Sequence, residues 1–161
     1  YLTGERTPLK DLYARGGFIG LTIRHQRRHL IRAVLEGITF AMRDSLEIFR
    51  ALGVEIQEIR ATGGGAKSAF WRQLQADVYG CEIAVIGSDQ GPAFGAAIMA
   101  GVGSGVYKSI PEACDAIIQV VQRTEPDRTR MQEYNDYYAV YHSLYPGIKA
   151  ACHTLSKKVA S

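Results

Sequence analysis

Apolar positions recur along this chain in two rhythms, and the switches between them mark its elements. Leu30, Val34, Leu35, Ile38, Met42, Leu46 and Phe49 recur at three- and four-residue steps. That is one face of a helix, so they predict a long amphipathic helix closed by Gly53 as a left-handed C-cap. Ahead of it, residues 1–17 are polar and punctuated by Gly4, Pro8, Gly16 and Gly17, which reads as a loop, and Phe18–Thr22 reads as a short strand. Beyond it, Glu58-Ile59-Arg60-Ala61-Thr62 alternates and predicts a strand over 57–62. A helix over 67–79 ending at Gly80, and a second strand over 82–86 bounded by Gly87-Ser88-Asp89, follow. Residues 91–101 form a helix of mostly small side chains with Pro92 in its first turn. A short helix over 111–120 comes next, then a tyrosine-rich one from about Asp127, with Tyr134, Tyr137, Tyr138, Tyr141 and Tyr145 at helical spacing. Tyrosines so spaced are a packing stripe before they are a base-stacking platform, and Pro146 should kink or interrupt the helix.

The order α, β, α, β, α, α implies an α/β fold with parallel strands joined by crossover helices. Two parallel strands make a poor independent core, so the rest of the sheet is expected to precede Tyr1. Tyr1-Leu2-Thr3-Gly4 carries neither an initiator Met nor a signal-peptide pattern, and reads like the middle of a longer protein.

Composition narrows the classes without choosing one. The 161 residues are 47% hydrophobic and 22% charged, the values of an ordinary globular protein. A net charge of +3 is mild, and the nearest thing to a basic patch is Arg24, Arg27, Arg28 and Arg32. Leu30, Ile31, Val34 and Leu35 interleave with these arginines at helical spacing, which makes them a solvated helix face rather than a nucleic-acid surface. Cys81, Cys114 and Cys152 lie far apart, an odd count without metal or redox spacing, which points to a reducing cytoplasm. The four histidines are equally dispersed, so no metal site is expected, and no apolar stretch is long enough to span a bilayer.

The richest local feature is Gly63-Gly64-Gly65-Ala66-Lys67-Ser68, lying between the strand ending at Thr62 and the helix carrying Phe70-Trp71-Arg72. Three glycines at a strand-to-helix junction remove every Cβ where the chain turns. A bulky anion can then approach backbone N–H groups at the positive end of a helix, which suits a nucleotide. The same glycines also serve a tight β–α turn that needs positive φ. Neither of the best-known phosphate motifs fits. A Walker A loop needs Gly where Ala66 and Ala61 stand, and a dinucleotide fingerprint begun at Gly63 and Gly65 needs its third Gly at Ser68.

Four ordered stretches resemble the C-terminal region of the FGGY carbohydrate kinases, most closely their xylulose-kinase branch. Gly16-Gly17-Phe18-Ile19-Gly20-Leu21, seven residues, then His29-Leu30-Ile31-Arg32-Ala33-Val34-Leu35-Glu36 resembles the family's second signature. Gly63–Ser68 with Trp71-Arg72-Gln73 and Ala76-Asp77 is similar to its adenosine-binding segment, and Gly91-Pro92-Ala93-Phe94-Gly95-Ala96-Ala97 to its inter-lobe helix. Tyr1–Pro8 with Asp11 and Ala14-Arg15-Gly16 resembles a xylulose-kinase stretch, so the likeness runs over essentially the whole chain.

The resemblance implies the ribonuclease-H-like fold shared with actin, hexokinase and the heat-shock ATPases, whose two lobes close over MgATP and sugar. Residues 1–161 would be an incomplete C-terminal, ATP-binding lobe, with the N-terminal lobe absent. Gly63, Gly64 and Gly65 would lie against the adenosine and α-phosphate, and Ser68 stands where relatives carry a polar residue facing the adenine. Lys67 either meets a phosphate or is a solvated lysine at a helix start. The aspartate base, most sugar contacts and the loop gripping the β- and γ-phosphates belong upstream, so no catalytic residue is assigned in this segment. The implied reaction is ATP- and Mg²⁺-dependent phosphorylation of a ketopentose, D-xylulose to D-xylulose 5-phosphate. The rivals are another sugar kinase of the family (gluconate, glycerol or a signalling ketose), a non-catalytic nucleotide-binding module of the same fold, and an interaction fragment using the tyrosine helix. Family members commonly form dimers. His29 reads as a residue of a helix N-terminus, Glu36 as a partner of Arg32 or a loop, Asp77 as a surface or capping carboxylate, and Glu5-Arg6 and Asp11…Arg15 as ion pairs. Arg6 is alternatively placed near the substrate cleft.

Overall fold

The computed structural model describes residues 1–87 and 91–159. Its elements run α1 (Arg27–Ala51), β1 (Glu58–Ala61), α2 (Gly63–Lys67), α3 (Ala69–Tyr79), β2 (Glu82–Ile86), α4 (Pro92–Gly103), α5 (Ile110–Ile117), β3 (Val120–Thr124) and α6 (Arg128–Val159). The chain divides into two compact units, one made of Tyr1–Glu55 with the chain from Thr129 onward, the other of Ile56–Arg128.

The second unit is built on a three-stranded sheet of order β1-β2-β3. β1 and β2 pair in parallel, Glu58 opposite Glu82 and Ala61 opposite Val85, with α2 and α3 as the crossover, as the sequence predicts. β3 departs from expectation. It replaces the end of the helix predicted over 111–120, and it lies antiparallel to β2, so the sheet is mixed rather than wholly parallel. Its pairing shifts register between Val85 and Ile86. α3 starts at Ser68, whose Oγ accepts from the Trp71 N–H at 3.3 Å, and stops at Gly80 in the left-handed region (φ 67°). Between those caps its inner face buries Leu74 and Val78 with Ile83 of β2, and these form the apolar centre of the unit. Asp77 is buried rather than on the surface. Its Oδ1 accepts from Gln73 Nε2 at 2.7 Å and from the Asp127 backbone N–H at 2.9 Å, at the residue before α6.

In the first unit α1 matches its predicted extent, with Gly53 in the left-handed region just beyond it. His29 sits in its first turn, where Nδ1 accepts from the Gln26 N–H at 3.0 Å. The segment Phe18–Thr22 is not a strand: it joins no sheet among the described residues, and Phe18, Ile19 and Leu21 are exposed. α6 continues through Pro146 without interruption.

The tyrosine stripe of α6 does pack, and against the polar face of α1. Tyr138 Oη donates to Asp44 Oδ1 at 2.6 Å, Tyr134 Oη to Glu36 Oε1 at 3.0 Å, and Arg32 bonds both Glu36 and Tyr134. Phe40 lies among the rings of Tyr134, Tyr138 and Tyr141, with centroids 5.3 to 6.2 Å apart. Arg43 stacks on Tyr138 at 4.2 Å. The apolar positions Ile31, Val34, Ile38 and Phe49 of the same helix are exposed.

The expected pairs Glu5–Arg6 and Asp11–Arg15 are replaced by other bonds. Glu5 accepts from the N–H groups of Thr7 and Leu9, and Arg15 donates to the carbonyls of Leu12 and Ala14. Asp11, buried, bonds Tyr145 and His153 of α6, the latter at 2.7 Å, with the Lys149 ammonium 3.9 Å away. A carboxylate with such donors finds more there than one arginine in the same loop supplies.

Candidate functional site

The site begins where β1 ends. Thr62 is extended (φ −132°, ψ 168°), and Gly63 then takes φ +75°, a backbone that side-chain-bearing residues rarely adopt. The glycines do not form an open turn. Gly63–Lys67 winds into the single short helix α2. Isolated, five residues with three glycines would not hold that shape, because each Gly costs about 1 kcal/mol relative to Ala in a helix and so short a helix lacks cooperativity. The first turn of α3 holds it instead. A Cβ added at Gly65 would stand 3.4 Å from the Trp71 ring, so that glycine rests on the indole. Arg72 reaches back with Nη1 to the Ala66 carbonyl.

The opposite side of α2 is bare. Gly63 and Gly64 are exposed, and a Cβ built on either meets nothing within 4 Å. Ser68 is exposed as well, and as N-cap it uses its oxygen as an acceptor, leaving the hydroxyl hydrogen to donate elsewhere. Neither α2 nor α3 has an acidic residue in its first turn, and Lys67 is the last residue of α2. The four residues predicted for the nucleotide, Gly63, Gly64, Gly65 and Ser68, therefore occupy one short stretch, with Gly65 turned inward and the others outward. The surface they make is shaped by backbone and carries no acidic side chain in the first turn of either helix, which suits a flat group.

Titration is shifted elsewhere in this unit. Hydrogen bonds from Arg60 and then Arg123 hold Glu58 below the usual carboxylate range, and those Arg123 makes to Glu58 and Glu82 raise the arginine. Burial pushes the Tyr79 phenol above its ordinary value. None of these groups lies in 62–68.

Trp71 and Arg72, which in the sequence stand only as members of a motif, are the side chains that hold the glycine run. The available signal was an aromatic and a basic residue in the first helical turn after a glycine run too weak to fold by itself.

The family description "FGGY family of carbohydrate kinases, C-terminal domain" matches residues 1–104. A xylulose kinase of Staphylococcus epidermidis is 44% identical over 149 residues, which is 92% of this chain and 30% of that protein. Among solved structures, a ligand-bound xylulose kinase from Lactobacillus acidophilus superposes with TM-score 0.89 at 30% identity, covering 96% of this chain and 31% of that one. A gluconate kinase from the same organism gives 0.87 at 30% identity, over the same shares. The chain thus spans about 30% of the length of the curated relatives it matches, and its α/β architecture is that of an actin- and hexokinase-like fold. On sequence and fold together, this chain belongs to the FGGY family of carbohydrate kinases.

Proposed function

We propose that this chain supplies the adenosine side of the ATP site in a sugar kinase, within the C-terminal lobe of a two-lobed enzyme, and that the whole enzyme phosphorylates a ketopentose, D-xylulose, to D-xylulose 5-phosphate. The observation that carries the nucleotide assignment is the bare outer side of α2, where Gly63 and Gly64 leave room that any Cβ would fill. Gly65, resting on Trp71, fixes the depth of that surface, and Ser68 offers its hydroxyl to the base. Mg²⁺ would arrive with the nucleotide and neutralise phosphate charge, and no residue of this segment is assigned to it. The aspartate base and most sugar contacts lie outside residues 1–161 on this reading. The dispersed, unpaired spacing of the cysteines supports a cytoplasmic enzyme on this reading; among the described residues no helix is long and apolar enough to cross a membrane.

The exposed row Ile31, Val34, Ile38 and Phe49 supports the assignment to part of a lobe. A helix that buries its polar face and bares its apolar one fits a place against further strands of the same lobe.

Gly64→Val, in a protein of the relatives' full length, tests the site. The KM for ATP should rise at least tenfold with the KM for xylulose within twofold; equal rises in both would make the glycine merely structural. The purified 161-residue chain should show no ATP-dependent xylulose phosphorylation, and turnover there would overturn the division of labour. A second sugar has specific support, since the gluconate kinase superposes almost as well as the xylulose kinase. A substrate panel with xylulose and gluconate decides between them.

A further inference from the structure

Arg72 is 5% exposed, yet among the described residues the one hydrogen bond of its side chain goes to the Ala66 carbonyl, and its Nε has no hydrogen-bond partner. No carboxylate forms an ion pair with it among those residues. As a contribution to stability this is a poor arrangement. A buried cation loses hydration worth several kcal/mol, and a lone carbonyl returns only part of it. A methionine of similar length would fill the space without that cost.

What the arginine does provide is a donor placed where α2 is weakest. The last carbonyls of a helix have no partner within it, and α2 is a single turn with no length to spare. The guanidinium takes the Ala66 carbonyl from the buried side while the Trp71 ring backs Gly65. Both side chains leave the same turn of α3, and Ser68 caps that turn. Trp71 sets how deep the run lies, and Arg72 sets how it is rotated. Loss of the second hold would let Gly63 and Gly64 turn their backbone away from the outer surface without unfolding anything.

We propose that Arg72 is a positioning residue of the nucleotide subsite: it fixes α2 from behind so that the bare glycine backbone faces the nucleotide. It does not touch the ligand, and the inference rests on the ATP reading above.

The test compares Arg72→Met, Arg72→Lys and Gly64→Val in a protein of the relatives' full length. ATP affinity is read by calorimetry, KM is measured for ATP and for the sugar, and thermal melting is followed in parallel. Arg72→Met removes the charge but keeps the bulk, so the melting temperature should hold or rise. Its ATP dissociation constant should rise about tenfold, the factor that one lost hydrogen bond corresponds to, with the sugar KM within twofold. Arg72→Lys keeps a donor without the planar fork and should fall between wild type and Arg72→Met. The proposal is overturned with the ATP reading intact if Arg72→Met binds ATP as wild type does while Gly64→Val does not. Parallel rises in both KM values together with a lower melting temperature would make Arg72 structural and overturn it too. If neither Arg72→Met nor Gly64→Val changes ATP binding, the ATP reading itself fails and takes this proposal with it.

Discussion

In the unit around β2 the fully buried large side chains include Leu74, Val78 and Ile83, apolar groups from facing surfaces of a helix and a sheet. In the unit around α1 the buried positions of that helix are Thr39, Phe40 and Asp44, set in a seam of tyrosines, while its isoleucines and Val34 are exposed. The first arrangement is a core that closes on itself. The second is held by hydroxyl-to-carboxylate bonds and ring contacts, each worth about 1 kcal/mol, with its main hydrophobic resource unspent. The difference teaches that amphipathicity predicts a helix better than it predicts which face the helix buries.

The comparison breaks most easily at its strongest member. Leu74→Ala should cost about 3 to 4 kcal/mol in urea unfolding, as a large cavity in a closed core does; a loss below about 1 would mean the second unit is not closed. Ile38→Ala sharpens the contrast, because Ile38 is 43% exposed. In the 161-residue chain it should cost under about 1 kcal/mol. In a protein of the relatives' length, with that face covered, the same change should cost about 2 kcal/mol or more; equal losses in both would remove the case for a covering element.

Within the second unit the glycines should separate. Gly63→Ala should destabilise by about 1 to 2 kcal/mol, because φ +75° is strained for any L side chain. Gly64→Ala, in open space and without a positive φ, should stabilise by about 0.5 kcal/mol while weakening ATP binding.

The smallest effect is a pH slope in the first unit, where two buried aspartates are shifted in opposite directions. Hydrogen bonds from Tyr145 and then His153 hold Asp11 well below its ordinary 3.8, so its contribution is present above that pH and is lost as pH falls beneath it. Burial raises Asp44, against the pull of Tyr138, so the native state takes up its proton first and the group adds stability as pH falls through the raised value towards 3.8, with no further change below. Asp11→Asn should flatten the acid loss below pH 3.8, and Asp44→Asn should remove a gain that appears on the descent towards 3.8 from above, as followed by chemical unfolding across pH.

Much of the fold was legible because it is written locally. Ser68 and Gly80 bound α3 by capping, Gly53 closes α1, and alternation marks β1. The antiparallel β3 was harder. Val120-Val121-Gln122-Arg123-Thr124 is largely exposed, so it lacks the alternation of a half-buried strand, and Arg123 joins the sheet through Glu58 and Glu82 on other strands. Its β-branched residues just ahead of Glu125-Pro126 were the usable sign. Phe18–Thr22 misled for the opposite reason: the residues suit a strand, but a strand needs a neighbour that the sequence window cannot supply. At the candidate site the glycine positions could be read, whereas their helical conformation could not, because propensity argues against it and the cause lies five to seven residues ahead in Trp71 and Arg72.

The tyrosine seam has one more consequence. A ring pressed against a ring tolerates sliding, but a hydroxyl pointed at a single carboxylate does not. Tyr134 on Glu36 and Tyr138 on Asp44 tie α6 to α1 at points about two turns apart on the latter helix. Moving one helix a turn along the other would leave both oxygens facing the wrong side chains. Phenylalanines at those places would fill almost the same volume and permit several alignments. The oxygens therefore act as an alignment code, selecting one register among packings that shape alone would leave nearly equal.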